Sequence, residues 1–524
     1  MTRLNVQDAA FLQVETDECP AHVAGLQIFR LPKNYKGNFF RDLMERIDHS
    51  IPPAPPFNMK LRADYLKLDV WPSWIEDTNF DLDYHVRYSA LPAPGSMDQL
   101  MKLVERLHSR LLDRTRPLWE CYFIEGLENN QVALYFKIHH SCVDGVAAMS
   151  ILDRVLSKTR TTKKPLAFWQ APPAGQKPSE PMKLMDRLAR SYSGLLGQAR
   201  SVQQLSTAAL KSGMEMLAGS ARKSPLPFTA PPTPFNQSIT RHRRFATHTV
   251  PLSRIKAIAK DLNLTVNDVV LGICAGAIRR YLKDHRKLPD KPILAMCPVS
   301  VRPKGAEQRG NQISMIVTTL ATDEEDIIAR LKAIHASATE AKLKLGDVAR
   351  ETATNYALLM NGVILLSQAL GLGNMVAPPA NLVISNVPGP REKLYLMGAE
   401  LVHNYPMSVL VHGQALNITV TSYADELDFG LLGAREALPD LNKLADYIGI
   451  ACDEIELADE TLLAVAAEAA RQRLAERRAE RETTRKPNSA AKPKSAKARA
   501  TRTKSNGHAA PAEAGPSATA PAEN

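Results

Sequence analysis

Apolar positions that recur at every second residue predict β-strands along much of the chain. Val132, Leu134, Phe136 and Ile138 alternate with smaller or more polar side chains within residues 131–138, as in a strand with one buried face. Comparable runs rich in β-branched and aromatic residues predict further strands at 21–29, 119–126, 293–301, 312–320, 381–385, 415–423 and 427–434.

Apolar positions at helical spacing predict helices between these strands. Leu103, Val104, Leu107 and Leu111 would share one helix face, and Thr265 has the side chain of a helix N-cap before an apolar stretch. Both halves of the chain therefore mix helices with strands. We predict an α+β fold with two layered domains and a central cleft between them.

Proline clusters divide the chain into these two halves. Prolines concentrate between residues 165 and 181 and again between 225 and 234, and a stretch with helical spacing of leucines lies between the clusters. The predicted division is an N-terminal domain, a proline-rich helical crossover linker, a C-terminal domain and a basic tail, at residues 1–157, 158–234, 235–480 and 481–524.

One long segment, residues 352–390, contains no charged side chain. A membrane-spanning helix needs about 20 predominantly apolar residues, and polar residues and prolines such as Asn361, Gln368 and Pro378 interrupt this segment. We predict a buried or interface-lying helix followed by a strand, with peripheral contact to a bilayer or lipid droplet as an open alternative.

The composition excludes several classes of protein. The chain has 524 residues, of which 44% are hydrophobic and 23% charged, which is typical of a soluble globular protein with more than one core. The six cysteines occur singly without a C-x-x-C pair, so neither a disulfide scaffold nor a metal site is predicted. The first 11 residues lack the apolar core of a secretory signal, and we expect a reducing, cytoplasmic environment.

The net charge of +11 is concentrated in the C-terminal tail. Residues 481–524 contain nine Lys or Arg and three Asp or Glu, so the tail carries +6 and the body only +5. Because the tail has almost no large apolar residue, we predict that it is disordered. A solvated terminus is the first interpretation and attraction to anionic lipid the second. Nucleic-acid binding is the third, and it is disfavoured because the tail has no aromatic residue to stack on a base.

The strongest chemical signal is the heptapeptide His-His-Ser-Cys-Val-Asp-Gly at residues 139–145, between a predicted strand and a predicted helix. A neutral imidazole held at such a turn can accept a proton near neutral pH, and a nearby carboxylate can orient it. His140 and Asp144 are the candidate catalytic residues, with His139 and Gly145 as supporting residues.

Structural interpretations of the same residues compete with the catalytic one. His139 is more simply explained as a hydrogen-bonded core histidine, and Asp144 as a helix cap or a loop-orienting group paired with an arginine. Arg114, Arg116 and Arg302 are the candidates for that arginine. The hydroxyl and thiol at positions 141 and 142 lack a nucleophile-elbow motif and are read as loop packing.

The heptapeptide and several ordered motifs resemble the bacterial wax ester synthase/acyl-CoA:diacylglycerol acyltransferases, a family of the CoA-dependent acyltransferase superfamily. The heptapeptide matches the family's H-H-x-x-x-D-G signature, and the resemblance covers most of residues 1–450. The other matching motifs are Pro117-Leu118-Trp119, Phe80–Arg87, Asn267-Asp268, the segment ending at Arg302, and Ser385–Pro390.

The resemblance implies two chloramphenicol-acetyltransferase-like domains and transfer of a fatty acyl group from acyl-CoA to diacylglycerol or a long-chain alcohol. His140 would be the general base, no covalent acyl-enzyme would form, and no cofactor would be needed because acyl-CoA is a substrate. Main-chain N–H groups near Gly145 or the Asn267 side chain would stabilise the oxyanion. For Asn267 and Asn386 the functional and structural interpretations are equally weighted, whereas for Trp119 the structural one is favoured.

Two alternatives to this activity remain at the level of sequence. One is a condensation-type domain that acts on carrier-bound thioesters, and the other is a non-catalytic protein that coats lipid droplets through its basic tail. For the enzyme we expect a cytoplasmic location with peripheral attachment to the inner membrane face or to lipid inclusions. The choice between wax ester and triacylglycerol, the acyl chain length and the substrate-binding residues are left open.

Overall fold

The computed structural model describes residues 2–4, 6–62, 72–160, 165–171, 225, 228–300, 313–346 and 379–484. Residues Met1–Leu463 form one compact unit, and Ala464–Asn524 form a second, whose described part is helical. Most of the predicted linker, the predicted helix within 352–378 and all but four residues of the predicted tail lie outside the described residues.

Strands and helices are mixed throughout the first unit, which confirms the predicted α+β class. The described strands are β1 (Thr2–Arg3), β2 (His22–Arg30), β3 (Met59–Leu61), β4 (Ser73–Glu76), β5 (Val86–Ala90), β6 (Trp119–Leu127), β7 (Gln131–His139), β8 (Arg243–Pro251), β9 (Leu294–Ser300), β10 (Ile313–Thr319), β11 (Leu382–Val387), β12 (Tyr395–Leu396), β13 (Ala399–Met407), β14 (Leu416–Tyr423) and β15 (Glu426–Ala434). The described helices are α1 (Val6–Val14), α2 (Phe39–Arg46), α3 (Leu82–His85), α4 (Met97–His108), α5 (Gly145–Val155), α6 (Leu252–Asp261), α7 (Val266–Asp284), α8 (Ile327–Gly346) and α9 (Leu441–Thr484).

The first large sheet has the strand order β12-β13-β2-β7-β6-β5. Its strands pair antiparallel except for β5 and β6, and helices cover both faces. Strands β12 and β13 come from the C-terminal half of the chain, and the sequence pattern did not predict them. The two halves are therefore joined through a shared sheet as well as through the connecting segment.

The second large sheet has the order β10-β9-β11-β14-β15-β8, and β11 runs parallel to both of its neighbours. Helices α6, α7, α8 and the first part of α9 bury one face of this sheet in the largest apolar cluster of the protein. The opposite face is directed towards the first sheet. A third sheet of three short strands, β1-β4-β3, lies near the N-terminus.

The predicted strand at 131–138 is confirmed as β7, but both of its faces are buried. Ala133, Tyr135 and Lys137 are as inaccessible as Leu134, because β7 lies between β2 and β6 with helices on each side. The predicted helix around 100–111 is also confirmed, as α4, although Leu111 lies beyond its C-cap at Ser109.

Within the described ranges, no single helix is long and apolar enough to span a membrane. Helices α6 and α7 pass that test of length and composition only as a pair, with a bend of 105° between them.

Candidate active site

A cavity of about 560 Å³ lies between the two large sheets. Its volume is within the range of small-molecule sites, and its lining is predominantly apolar. The second sheet contributes the alternate residues that point away from its helical layer, namely Met296, Pro298, Val383, Ser385, Val387, Asn417, Thr419 and Thr421. The first sheet contributes β2 and β7, and helices α1 and α5 complete the wall.

His140 lies on the wall of this cavity, directly after β7. Its main-chain N–H donates to the Ala21 carbonyl at 2.9 Å, which extends the β2–β7 pairing by one more bond. Its ring stacks on Phe11 of α1 with the ring centroids 4.1 Å apart and the planes 9° from parallel. Nδ1 is buried and makes no hydrogen bond to a described residue, and the residue as a whole is partly exposed.

The surroundings of His140 favour its neutral form. Burial lowers the pKa of the imidazole below its ordinary value, while its own main-chain carbonyl and the Asp144 carboxylate act in the opposite direction. A neutral imidazole is the form that can accept a proton. The site therefore has the charge state that a general base requires near neutral pH.

His139 has a structural environment, in agreement with the core interpretation. Its ring is fully buried, and Nδ1 accepts the Ser141 main-chain N–H at 3.1 Å and lies 2.6 Å from the Ser141 hydroxyl. Burial, together with the nearby Arg114 and His140, lowers the pKa of His139 to about 3. His139 and Ser141 thus fix the turn that presents the next histidine to the cavity.

A partly buried ion pair supports this turn. Glu15 follows α1 and accepts from Arg114 Nε at 3.1 Å and Nη2 at 3.0 Å, and its other carboxylate oxygen lies 3.6 Å from Nε2 of His139. The same oxygen accepts the Ala21 main-chain N–H at 3.0 Å. Glu15 therefore connects α1, the start of β2 and the region of His139.

Asp144 is the N-cap of α5. Its carboxylate accepts the Ala147 main-chain N–H at 2.7 Å and is buried. Gly145 begins the helix and packs against β11, since a Cβ at this position would lie only 3.2 Å from a methyl group of Val387. The heptapeptide and the Ser385–Pro390 motif thus meet at the cavity, where Asn386 is also a lining residue.

The arginines considered as partners of Asp144 lie in different places. Arg114 pairs with Glu15, and Arg116 pairs with Asp81 and Asp113. Arg302 lies outside the described residues.

Cys142 and Ser141 both pack within the turn. Burial raises the pKa of the Cys142 thiol, which opposes formation of a nucleophilic thiolate. The Ser141 hydroxyl is engaged with His139. Within the described ranges, no group of three or more His, Cys, Asp or Glu side chains is arranged to hold a metal ion.

Asn267 does not lie where an oxyanion donor to His140 is needed. It occupies the first turn of α7, in the layer that covers the opposite face of the second sheet, and is not among the described cavity-lining residues. The neighbouring Asp268 explains this motif structurally, because it forms a capping box with Thr265 and a 2.7 Å hydrogen bond with Nδ1 of His335. The predicted role of Asn267 as an oxyanion donor is corrected accordingly.

Trp119 of the Pro-Leu-Trp motif is an aromatic core residue. Its indole N–H donates to the Phe57 carbonyl at 2.8 Å, and its ring stacks against those of His85 and Trp169. The sequence did not indicate Phe11 or Glu15 as part of the site. Both belong to the N-terminal segment and come close to the heptapeptide only through tertiary packing.

Two mixed sheets, with a histidine from a strand-to-helix turn at the cavity between them, define the chloramphenicol-acetyltransferase-like fold of CoA-dependent acyltransferases. The chain matches the model of the wax ester synthase/diacylglycerol acyltransferase catalytic domain over residues 4–270 and that of the WS/DGAT C-terminal domain over residues 309–456. The protein belongs to the wax ester synthase/diacylglycerol acyltransferase family and is an O-acyltransferase, which confirms the resemblance seen in its motifs.

Individual relatives match over nearly their whole length. The O-acyltransferase WSD of Acinetobacter baylyi is 40% identical over 464 residues, covering 87% of this chain and 97% of that protein. A putative diacylglycerol O-acyltransferase of Mycobacterium tuberculosis H37Rv is 39% identical over 454 residues, covering 86% and 98%. The solved wax ester synthase/diacylglycerol acyltransferase from Marinobacter aquaeolei VT8 is 34% identical with a TM-score of 0.69, covering 88% of this chain and 100% of that one.

Proposed function

We propose that this protein transfers a fatty acyl group from acyl-CoA to diacylglycerol or a long-chain alcohol, with His140 as the general base. The observation that carries the proposal is the position of the His140 imidazole, favoured in its neutral form, on the wall of an apolar cavity between the two sheets. An apolar cavity favours long-chain substrates, and a base at its wall activates a hydroxyl rather than water in bulk solvent. The family membership supports the same reaction class.

The reaction requires one proton acceptor and no covalent acyl-enzyme. Nε2 of His140 removes the hydroxyl proton as the acceptor oxygen attacks the thioester carbonyl and forms the new C–O bond. The tetrahedral intermediate then breaks its C–S bond. The imidazolium returns the proton to the departing CoA thiolate, so the ester and free CoA leave a neutral histidine. Charge is balanced at each step.

The N-terminus of α5 supplies candidate donors for the oxyanion. The main-chain N–H groups of Gly145 and Val146 lie in the first turn of the helix, donate no hydrogen bond to a described residue, and belong to residues that line the cavity. Unpaired N–H groups at a helix N-terminus carry partial positive charge and stabilise a developing oxyanion. Asp144 holds this turn and attracts the imidazolium that forms during the reaction.

The proposal predicts an ester product that depends on both substrates. Purified protein is incubated with palmitoyl-CoA and either hexadecanol or dioleoylglycerol, and thiol release and neutral lipid are measured together. We expect one thiol for each ester formed, with wax ester in the first reaction and triacylglycerol in the second, and the two rates rank the acceptors. Thiol release at the same rate without acceptor, and without ester, would contradict the proposal.

We also propose peripheral attachment to anionic membrane or lipid inclusions through the tail. Residues 485–524 carry eight Lys or Arg and two Glu, and each basic residue near an anionic surface contributes about 1 kcal/mol.

Deletion of residues 485–524 is expected to weaken sedimentation with phosphatidylglycerol vesicles at least about tenfold. Neutral phosphatidylcholine vesicles are the control, and binding to them should not change. Ester formation with detergent-dispersed substrates should stay close to that of the full chain, because the deleted residues lie outside the compact unit that holds His140. Equal binding of both proteins to anionic vesicles would refute the attachment.

A further inference from the structure

A second pocket, of about 490 Å³, is lined mainly by arginines, and we call it the arginine cleft. Its basic residues come from α4 and the segment after it, from the start of β8 with the residues before it, and from the residue after β15. They are Arg106, Arg110, Arg241, Arg243, Arg244 and Arg435. Asp17 and Glu105 are the carboxylates among the lining residues. The cleft is therefore strongly positive.

Most of this charge has no protein counter-ion. Glu105 is occupied by Arg244 at 3.2 Å and by the Phe245 main-chain N–H at 3.0 Å. Across the part of the chain that the structure describes, Arg106, Arg110, Arg241 and Arg435 form no ion pair. Like charges gathered in one cleft raise the free energy of the protein unless an anion neutralises them.

Two buried groups point to a ligand more specifically. Arg243 is only 3% exposed, yet its guanidinium donates to the main-chain carbonyls of Thr240, His242 and Glu18, with no carboxylate at ion-pair distance among the described residues. Burial lowers the pKa of Arg243 to about 10. The Glu436 carboxylate opposes this shift from beyond ion-pair distance. The Nε–H of Arg244 is also buried and has no partner among the described residues. The unpaired Nε–H of Arg244 and the buried charge of Arg243 are both costly, which favours a site for an anionic ligand.

The segment 17–19 connects the arginine cleft with the cavity that holds His140. The Glu18 carbonyl accepts from Arg243 at 2.7 Å, and the next residue, Cys19, lines the cavity. Asp17 lines the cleft, and Ala21, four residues later, accepts a hydrogen bond from the His140 main-chain N–H. Four extended residues span at most about 14 Å, which limits the distance between Asp17 and Ala21. The pantetheine arm of CoA, with roughly 13 bonds of about 1.5 Å in a zigzag, is about 16 Å long when extended.

We infer that the arginine cleft binds the phosphate groups of the CoA part of the acyl donor. This inference rests on the proposed use of acyl-CoA at His140. Arginine recognises phosphate with two parallel N–H donors, and a cluster of arginines from three separate segments fits a ligand with several phosphates. With the phosphates in the cleft, the pantetheine arm reaches past Cys19 and places the thioester at the catalytic cavity.

The test replaces two exposed arginines, Arg110 and Arg435, by Gln in one double variant. The buried Arg243 is left intact so that folding is preserved, and Arg41→Gln, an exposed arginine on α2, is the matched control. Binding of free CoA is measured by calorimetry, and kcat/KM is measured for palmitoyl-CoA and for palmitoyl-pantetheine, which lacks phosphate.

We expect CoA affinity to fall about 10- to 100-fold in the double variant and not in the control. The preference of kcat/KM for palmitoyl-CoA over palmitoyl-pantetheine should shrink by a similar factor. An unchanged CoA affinity and preference would overturn the inference. If the double variant instead lost binding to phosphatidylglycerol vesicles while CoA binding stayed intact, the cleft would be a lipid headgroup site and the inference would be wrong.

Arginine-dependent CoA binding without ester formation would refute the proposed function and leave the cleft assigned. Ester formation by the wild-type protein, with unaltered CoA binding in the double variant, would support the proposed function and refute the CoA site.

Discussion

Replacement of His140 by Ala or Gln is expected to lower kcat/KM for ester formation by about 10²- to 10⁴-fold. The ring nitrogen that accepts the hydroxyl proton is removed, and Asp144, the carboxylate that acts on the pKa of His140, is engaged at the N-terminus of α5. Gln keeps most of the volume that packs on Phe11, so the loss of rate in this variant is not explained by a collapsed cavity. The rate is measured as thiol release coupled to ester formation.

The control for this prediction is His49→Ala. His49 is an exposed histidine after α2, far along the chain from the heptapeptide, and its replacement should leave the rate unchanged. Circular dichroism and the thermal midpoint establish that both His140 variants are folded. Folded His140→Ala and His140→Gln proteins that retain wild-type turnover would contradict the role of His140.

Replacement of Glu120 by Ala is expected to lower the free energy of unfolding by about 3–5 kcal/mol. Glu120 lies on β6 and pairs with Lys137 at 3.2 Å and with Arg87 at 3.4 Å, and it accepts from the Tyr122 hydroxyl at 3.1 Å. Lys137 is fully buried. Burial lowers the pKa of Lys137, and the Glu120 carboxylate opposes that shift. Without Glu120 the buried ammonium loses its counter-ion in a low-dielectric environment.

The matched control removes both charges. The double variant Glu120→Leu with Lys137→Met leaves no buried ammonium without a counter-ion, and Arg87, which also loses its partner, is partly exposed to solvent. We expect this variant to be much closer to wild type than Glu120→Ala. Urea unfolding followed by tryptophan fluorescence is a suitable measurement because Trp119 adjoins the pair in the core. A Glu120→Ala protein within 1 kcal/mol of wild type, or a double variant as unstable as the single one, would refute the prediction.

The elements nearest to the site could be predicted from the sequence because their signals are local. Alternating apolar residues identified β7, and the heptapeptide with its Asp and Gly identified the turn into α5. The capping residue Thr265 correctly marked the start of α7. Such signals depend on residues within one turn or one strand of each other, so they are readable without knowledge of the fold.

The features that the sequence did not predict depend on contacts between distant residues. Strand β13 pairs with β2, whose residues lie more than 350 positions earlier, and no local pattern encodes that pairing. Lys137 can be buried because Glu120 on the neighbouring strand neutralises its charge, and nothing in the sequence next to Lys137 indicates that pairing. Asn267 matched a family motif, but its place in the helical layer was visible only in three dimensions.

The pH dependence of kcat/KM for palmitoyl-CoA and hexadecanol tests most directly whether His140 acts as a neutral base. Burial places the pKa of His140 below the ordinary value of about 6.5, so the proton-accepting form is complete at neutral pH and is lost as the pH falls through that lowered pKa. For the wild-type protein we expect kcat/KM to be level between about pH 8 and 7 and to fall at lower pH with a midpoint below about 6.5. The residual rate of His140→Gln should not show this fall at acid pH. A midpoint above about 7, or the same acid limb in His140→Gln, would contradict the account.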